Sequence, residues 1–193
     1  LKIGNLDLRK LGLRLDHVHL VSPYSKMEFA YKQPKHQDWF DVKVGNVRLN
    51  DVDIPGYFST KELRVGGLWI NDVLLQNLKN RKIPVEPHIV PMIYEGLQKA
   101  PVRFKIDTAS VANFSVVYEE LPVKGDKPGK LYFTDMNGQF SGLTNIVSYP
   151  EQFIRLHADG NLMGSGHFTA TWQLPVDSLY DRFLLDARLD SLD

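Results

Sequence analysis

The chain has 193 residues, 43% hydrophobic and 24% charged, a balance that belongs to a folded domain and excludes a disordered tail. Lysine plus arginine equals aspartate plus glutamate at 23 each, so no net positive field draws the chain to nucleic acid or to an anionic membrane surface. There is no cysteine, which excludes disulfides and thiolate metal sites, and no apolar run reaches the roughly 20 residues of a membrane-spanning helix.

In chain order, the first pattern is a repeat. Leu1-Lys2-Ile3-Gly4-Asn5-Leu6-Asp7-Leu8 matches Val42-Lys43-Val44-Gly45-Asn46-Val47-Arg48-Leu49 and again Leu63-Arg64-Val65-Gly66-Gly67-Leu68-Trp69-Ile70. The second and third copies continue alike, as Asn50-Asp51-Val52 and Asn71-Asp72-Val73. Apolar residues alternate with polar ones, the period of a strand with one dry face. The phase slips across each glycine: Val42 and Val44 are in one register, Val47 and Leu49 in the other. An uncorrected slip would turn half of the apolar side chains to water, so a bulge or a tight turn must restore them. Long, bulged, twisted strands are the expected solution.

After Pro84 and Pro87 the period changes to that of a helix over residues 88–99, with Ile89, Ile93 and Leu97 on one stripe. Alternation returns over residues 104–118, 131–140, 165–174 and 183–189, and residues 176–181 suit a short helical turn. The clearest strand puts Gly166, Phe168, Ala170, Trp172 and Leu174 on one side, with His167, Thr169 and Thr171 on the other. The expected fold is mainly β: a long curved, twisted antiparallel sheet with repeated strand units and one short amphipathic helix. Residues 1–193 form a single β-rich unit, and both ends look like cuts in a longer protein.

No constellation supports catalysis or a resident cofactor. Among six histidines, Asp16, His17 and His19 lie closest together, but two imidazoles and one carboxylate fall short of zinc's ligand set and suit the wet face of a strand. Met163-Gly164-Ser165-Gly166 lacks the first glycine of a nucleophile elbow and suits a hairpin turn. Gly66 and Gly67 precede no Gly-Lys-Ser/Thr and no helix, so they cradle no phosphate. Glu119 and Glu120 suit a solvated pair. The aromatic and aliphatic residues spread over many strands are more informative. Val42, Val44, Trp69, Phe104, Phe133, Phe168 and Trp172 are the candidate lining of an apolar face for a lipid or another apolar ligand. The same rings could stack nucleic-acid bases, but Lys43, Arg48, Arg64 and Lys105 alternate onto the other face, which disfavours that partner.

The segment Val-Lys-Val-Gly-Asn-Val-Arg-Leu-Asn-Asp-Val-Asp-Ile, beginning at Val42, resembles the repeated units of AsmA-like and TamB-like bacterial envelope proteins. Similar units are residues 101–118 after the helix, residues 131–143 and 156–166, and the closing residues 183–189. The resemblance implies a curved sheet with an apolar inner groove, a periplasmic location and an inner-membrane anchor outside this fragment. It further implies a non-enzymatic role in envelope or outer-membrane lipid homeostasis, with an envelope protein as possible partner. The alternative is a structural or adhesive β module that recognises protein or glycan through loops carrying Tyr24, Trp39 or Trp69.

Overall fold

A computed structural model describes residues 11–84, 93–177 and 183–190. Their strands form one sheet in sequence order: β1 (Leu11–Val21), β2 (Trp39–Val52), β3 (Glu62–Asn80), β4 (Arg103–Leu121), β5 (Gly129–Thr144), β6 (Phe153–Leu162), β7 (Gly166–Pro175) and β8 (Leu184–Asp190). All neighbouring pairs are antiparallel except β3 with β4, which run parallel. A parallel pair requires the chain to return from one end of the sheet to the other, so β4 starts with Arg103 beside Glu62 and not beside Asn80. The first and last strands are edges and do not pair, so the sheet stays open. At 19 residues, β3 and β4 are about 60 Å long at the usual rise per residue.

The strands run through the repeat glycines without a turn. Registration explains how. Gly45 stands opposite Asp72, and Asp51 opposite Gly66, each pair filling a single gap in an otherwise continuous β2–β3 ladder. Both aspartates adopt the left-handed conformation, with φ of 58° at Asp72 and 53° at Asp51. A left-handed residue inserts a half-step that turns the alternation over, and aspartate tolerates it better than most residues. The facing glycine supplies space: a Cβ on Gly45 would lie 2.8 Å from the Asp72 Cβ, and one on Gly66 2.9 Å from the Asp51 Cβ. The two repeat copies therefore pair head to tail, glycine of each against aspartate of the other.

These interruptions continue across neighbouring strands as transverse lines. One passes His17, Gly45, Asp72 and Asn113, and His17 and Asn113 are again left-handed at 56° and 52°. A side-chain ladder accompanies it, with Asn113 donating to Asp72 at 2.7 Å and Asn71 to Asn46 at 3.0 Å. In β5, left-handed Asp135 adds a bulge and accepts from Asn161 of β6 at 3.1 Å. A second line runs from Asp51 through Gly66 and Asp107 to Gly142, itself at φ 68°.

Among the described residues, three short helices close the ends. α1 (Lys26–Lys32) buries Phe29 and Ala30 against Trp39, Leu78 and Leu121, and buried Asn80 donates to the Ala30 carbonyl at 2.8 Å. α2 (Ile54–Thr60) joins β2 to β3, with Asp53 accepting from the Gly56 amide at 2.9 Å and Pro55 in the first turn. α3 (Ile93–Gln98) is the described part of the expected helix and lays Leu97 on Ile154, Leu174 and Val176 at the opposite end from α1. The first repeat copy, residues 85–92 and most of the expected turn at 176–181 lie outside the described residues.

Asn145 ties α3 to the sheet. Its amide nitrogen donates to the carbonyls of Val102, at 2.9 Å, and Leu97, and its oxygen accepts from the Phe104 amide at 2.8 Å. Replacing this buried side chain with alanine leaves all three backbone groups without it. Asn145→Ala is expected to cost about 2–3 kcal/mol in urea unfolding, whereas an exposed asparagine such as Asn50 should lose almost nothing.

Candidate functional site

The register aligns apolar residues in rows across the sheet. One row reads Leu13, Leu49, Leu68, Ala109, Phe140, Leu156, Trp172 and Leu185, one residue from each strand. Another reads Leu15, Val47, Ile70, Val111, Gly138, Ala158, Ala170 and Ala187. A third takes Leu20, Val42, Leu75, Val116, Phe133 and Leu162. In β4 the apolar positions advance as Phe104 and Ile106, then Ala109 and Val111, then Phe114, Val116 and Tyr118. Each break coincides with an interruption, at Asp107 and at Asn113. The interruptions are the device that keeps one face apolar along strands too long for simple alternation.

Among the described residues, this face carries only partial cover. α3 packs at one end, against Ile154 and Leu174, while α1 packs on the opposite face at the other end. Between the ends, Val111, Phe114, Met136, Phe140, Leu156, Phe168 and Trp172 surround a hollow of 260 Å³. Phe133 and Phe168 meet edge to face at 5.7 Å between ring centres. Towards the edges the same rows open to solvent, with Leu15 60% and Leu185 50% exposed. Isolated exposed apolar residues are ordinary; a contiguous face of them marks a contact surface.

Six of the seven expected lining residues, Val42, Val44, Phe104, Phe133, Phe168 and Trp172, fall on this face, and Trp69 does not. Trp69 sits between Leu68 and Ile70, which both belong to apolar rows, so alternation sends its indole to the other side. The sequence expectation omitted Phe114, Met136, Phe140 and Leu156, which complete the hollow. Of the residues named for loop recognition, Tyr24 is 55% exposed, whereas Trp39 is buried in the α1 cluster at 6%.

At the α1 end the apolar face finishes in a polar pair. Tyr118 donates to Glu120 at 2.8 Å, and Arg81 approaches the other carboxylate oxygen at 3.2 Å. Burial, aided by the carboxylate, pushes the Tyr118 phenol up to about 12, and the hydrogen bond from Tyr118 holds Glu120 below the usual carboxylate range. A raised folded-state value means the phenol's contribution is intact below its ordinary value of 10.0 and is lost as the pH climbs towards about 12. Melting temperature should therefore fall over that interval, and less steeply in Tyr118→Phe.

Away from the α1 cluster, the opposite face is largely polar. His19 pairs with Asp41 at 2.7 Å and His157 with Thr171 at 3.1 Å. Among the described residues, no three histidine or acidic side chains converge as metal ligands. The Met163-Gly164 segment forms the hairpin turn between β6 and β7.

Fold and face together define an open, mainly antiparallel β-sheet protein with a long apolar side. No protein-family model and no curated protein matches the chain.

Proposed function

We propose that this chain is a non-catalytic cell-envelope module that offers its apolar sheet face to lipid acyl chains. The carrying observation is the pair of apolar rows that cross all eight strands in unbroken register. Burying such a face against hydrocarbon gains about 25 cal/mol per Å², and it requires no directional polar group. The hollow around Phe114 and Trp172 gives a chain a place to settle, and the open edges let it extend sideways. In this reading the residues that matter are Val42, Val44, Phe104, Phe133, Phe168 and Trp172, together with Phe114 and Phe140. The resemblance to AsmA-like envelope proteins agrees with it and adds the periplasm, an inner-membrane anchor carried elsewhere in the protein, and an envelope protein as partner.

The test is titration of delipidated protein with a fluorescent fatty acid and with a fluorescent phospholipid. Saturable binding is expected for both, little changed by salt, because the contact is apolar. Absence of saturable binding to either probe would overturn the proposal.

A further inference from the structure

We infer that the polar face carries a second binding site, built around Trp69, for a sugar ring of an oligosaccharide. Trp69 belongs to a transverse row that reads Arg14, Arg48, Trp69, Ser110, Gln139, His157, Thr171 and Asp186, in which it is the sole apolar member. Core packing does not account for it, because the apolar rows lie on the other side of the sheet and the α1 cluster on its own side, around Leu78, lies further along β3 at the far end.

The indole lies down on the sheet. A Cβ built on Gly67 would fall 2.0 Å from its Cη2 and 2.3 Å from its Cζ3, so the six-membered ring occupies the place of a Gly67 side chain. Gly67 itself is buried while Trp69 remains partly exposed. One ring face is thus seated on the backbone and the ring is held in one orientation. Beside it is a hollow of 690 Å³ rimmed by Thr108, Ser110, Gln139, Arg155 and His157. That volume is within the range of small-molecule sites, about 300–1,000 Å³.

The chemistry selects the ligand class. A pyranose has a flat C–H face that stacks on an aromatic ring and a rim of hydroxyls that both donate and accept. The wall offers matching neutral groups: an amide at Gln139 and hydroxyls at Ser110 and Thr108, none hydrogen-bonded through its side chain to another described residue. Nucleic acid would require bases tracking a phosphate backbone, whereas Arg155 in the hollow is accompanied by Asp107 of opposite charge. An acyl chain would leave the polar rim unpaired.

The site lies across the sheet from the proposed lipid face, so the two are separately testable. The experiment titrates the folded protein with three probes: a glucan hexamer, a chitin-type hexamer and a uronate hexamer, followed by calorimetry and indole fluorescence. Saturable binding is expected for at least one, with a dissociation constant in the range of about 10 µM to 1 mM. Trp69→Ala should weaken it by about tenfold or more, as should Gly67→Val, which unseats the ring, while Trp69→Phe retains most of the affinity. Fatty-acid binding should be unchanged in all three variants. The inference is overturned if none of the probes binds at about 10 mM, or if Trp69→Ala, shown folded by circular dichroism, binds as tightly as the parent.

Discussion

Replacing Gly45 with alanine is expected to destabilise the sheet by about 2–3 kcal/mol, although alanine favours the β conformation more than glycine does. The new methyl would sit 2.8 Å from the Asp72 Cβ, inside van der Waals contact. Both atoms belong to backbone-fixed positions in a continuous ladder, so relief requires separating β2 from β3. The diagnostic variant is the double substitution Gly45→Ala with Asp72→Gly. Moving the glycine to the other strand restores the space and relieves aspartate of its left-handed backbone, so more than half of the lost stability should return. The second pair repeats the test, because Gly66→Ala meets the Asp51 Cβ at 2.9 Å and Asp51→Gly should rescue it. Urea unfolding of the singles and doubles measures the coupling, expected at about 1–2 kcal/mol for each pair. Strictly additive effects would mean that the glycines and aspartates are independent, and the account of how the strands keep phase would fail.

That pairing shows where sequence reasoning reached and where it stopped. The phase slip between Val44 and Val47 signals either an interruption within a strand or a tight turn, and the interrupted strand, the favoured of the two, is what occurs. The conserved spacing of glycine and aspartate in the two copies held the partner information as well. Gly45 to Asp51 and Gly66 to Asp72 span equal intervals, so antiparallel pairing sets each glycine against the other copy's aspartate. Reading it required knowing that the two copies are adjacent. The parallel β3–β4 pair was illegible for a related reason: strand direction follows from the path of the crossover, not from alternation. α1 and α2 are seven residues each, two turns at most, too short to develop a helical period, and Pro55 within α2 reads locally as a breaker. The aromatic character of Trp69 suggests the dry face, but its neighbours Leu68 and Ile70 occupy that face and alternation sends Trp69 to the other.

The second large effect concerns the apolar face. Phe114→Glu should weaken fatty-acid binding by about thirtyfold or more, equivalent to about 2 kcal/mol. Phe114 follows left-handed Asn113, pairs with Met136 and borders the central hollow, so a carboxylate there must either lose water against the acyl chain or keep the chain out. Ser115→Glu provides the control, because the adjacent residue points to the polar face and adds the same charge at the same height along β4. Its binding should match that of the parent. Phe114→Leu separates shape from polarity and should retain affinity within about threefold. Stability is read alongside by thermal melting, and only variants folded at the assay temperature are compared. If Phe114→Glu and Ser115→Glu weaken binding equally, net charge governs the contact and the apolar rows are not the surface that holds the lipid. If neither does, the acyl chain binds away from the central hollow, and a face formed by eight strands in register has some other occupant.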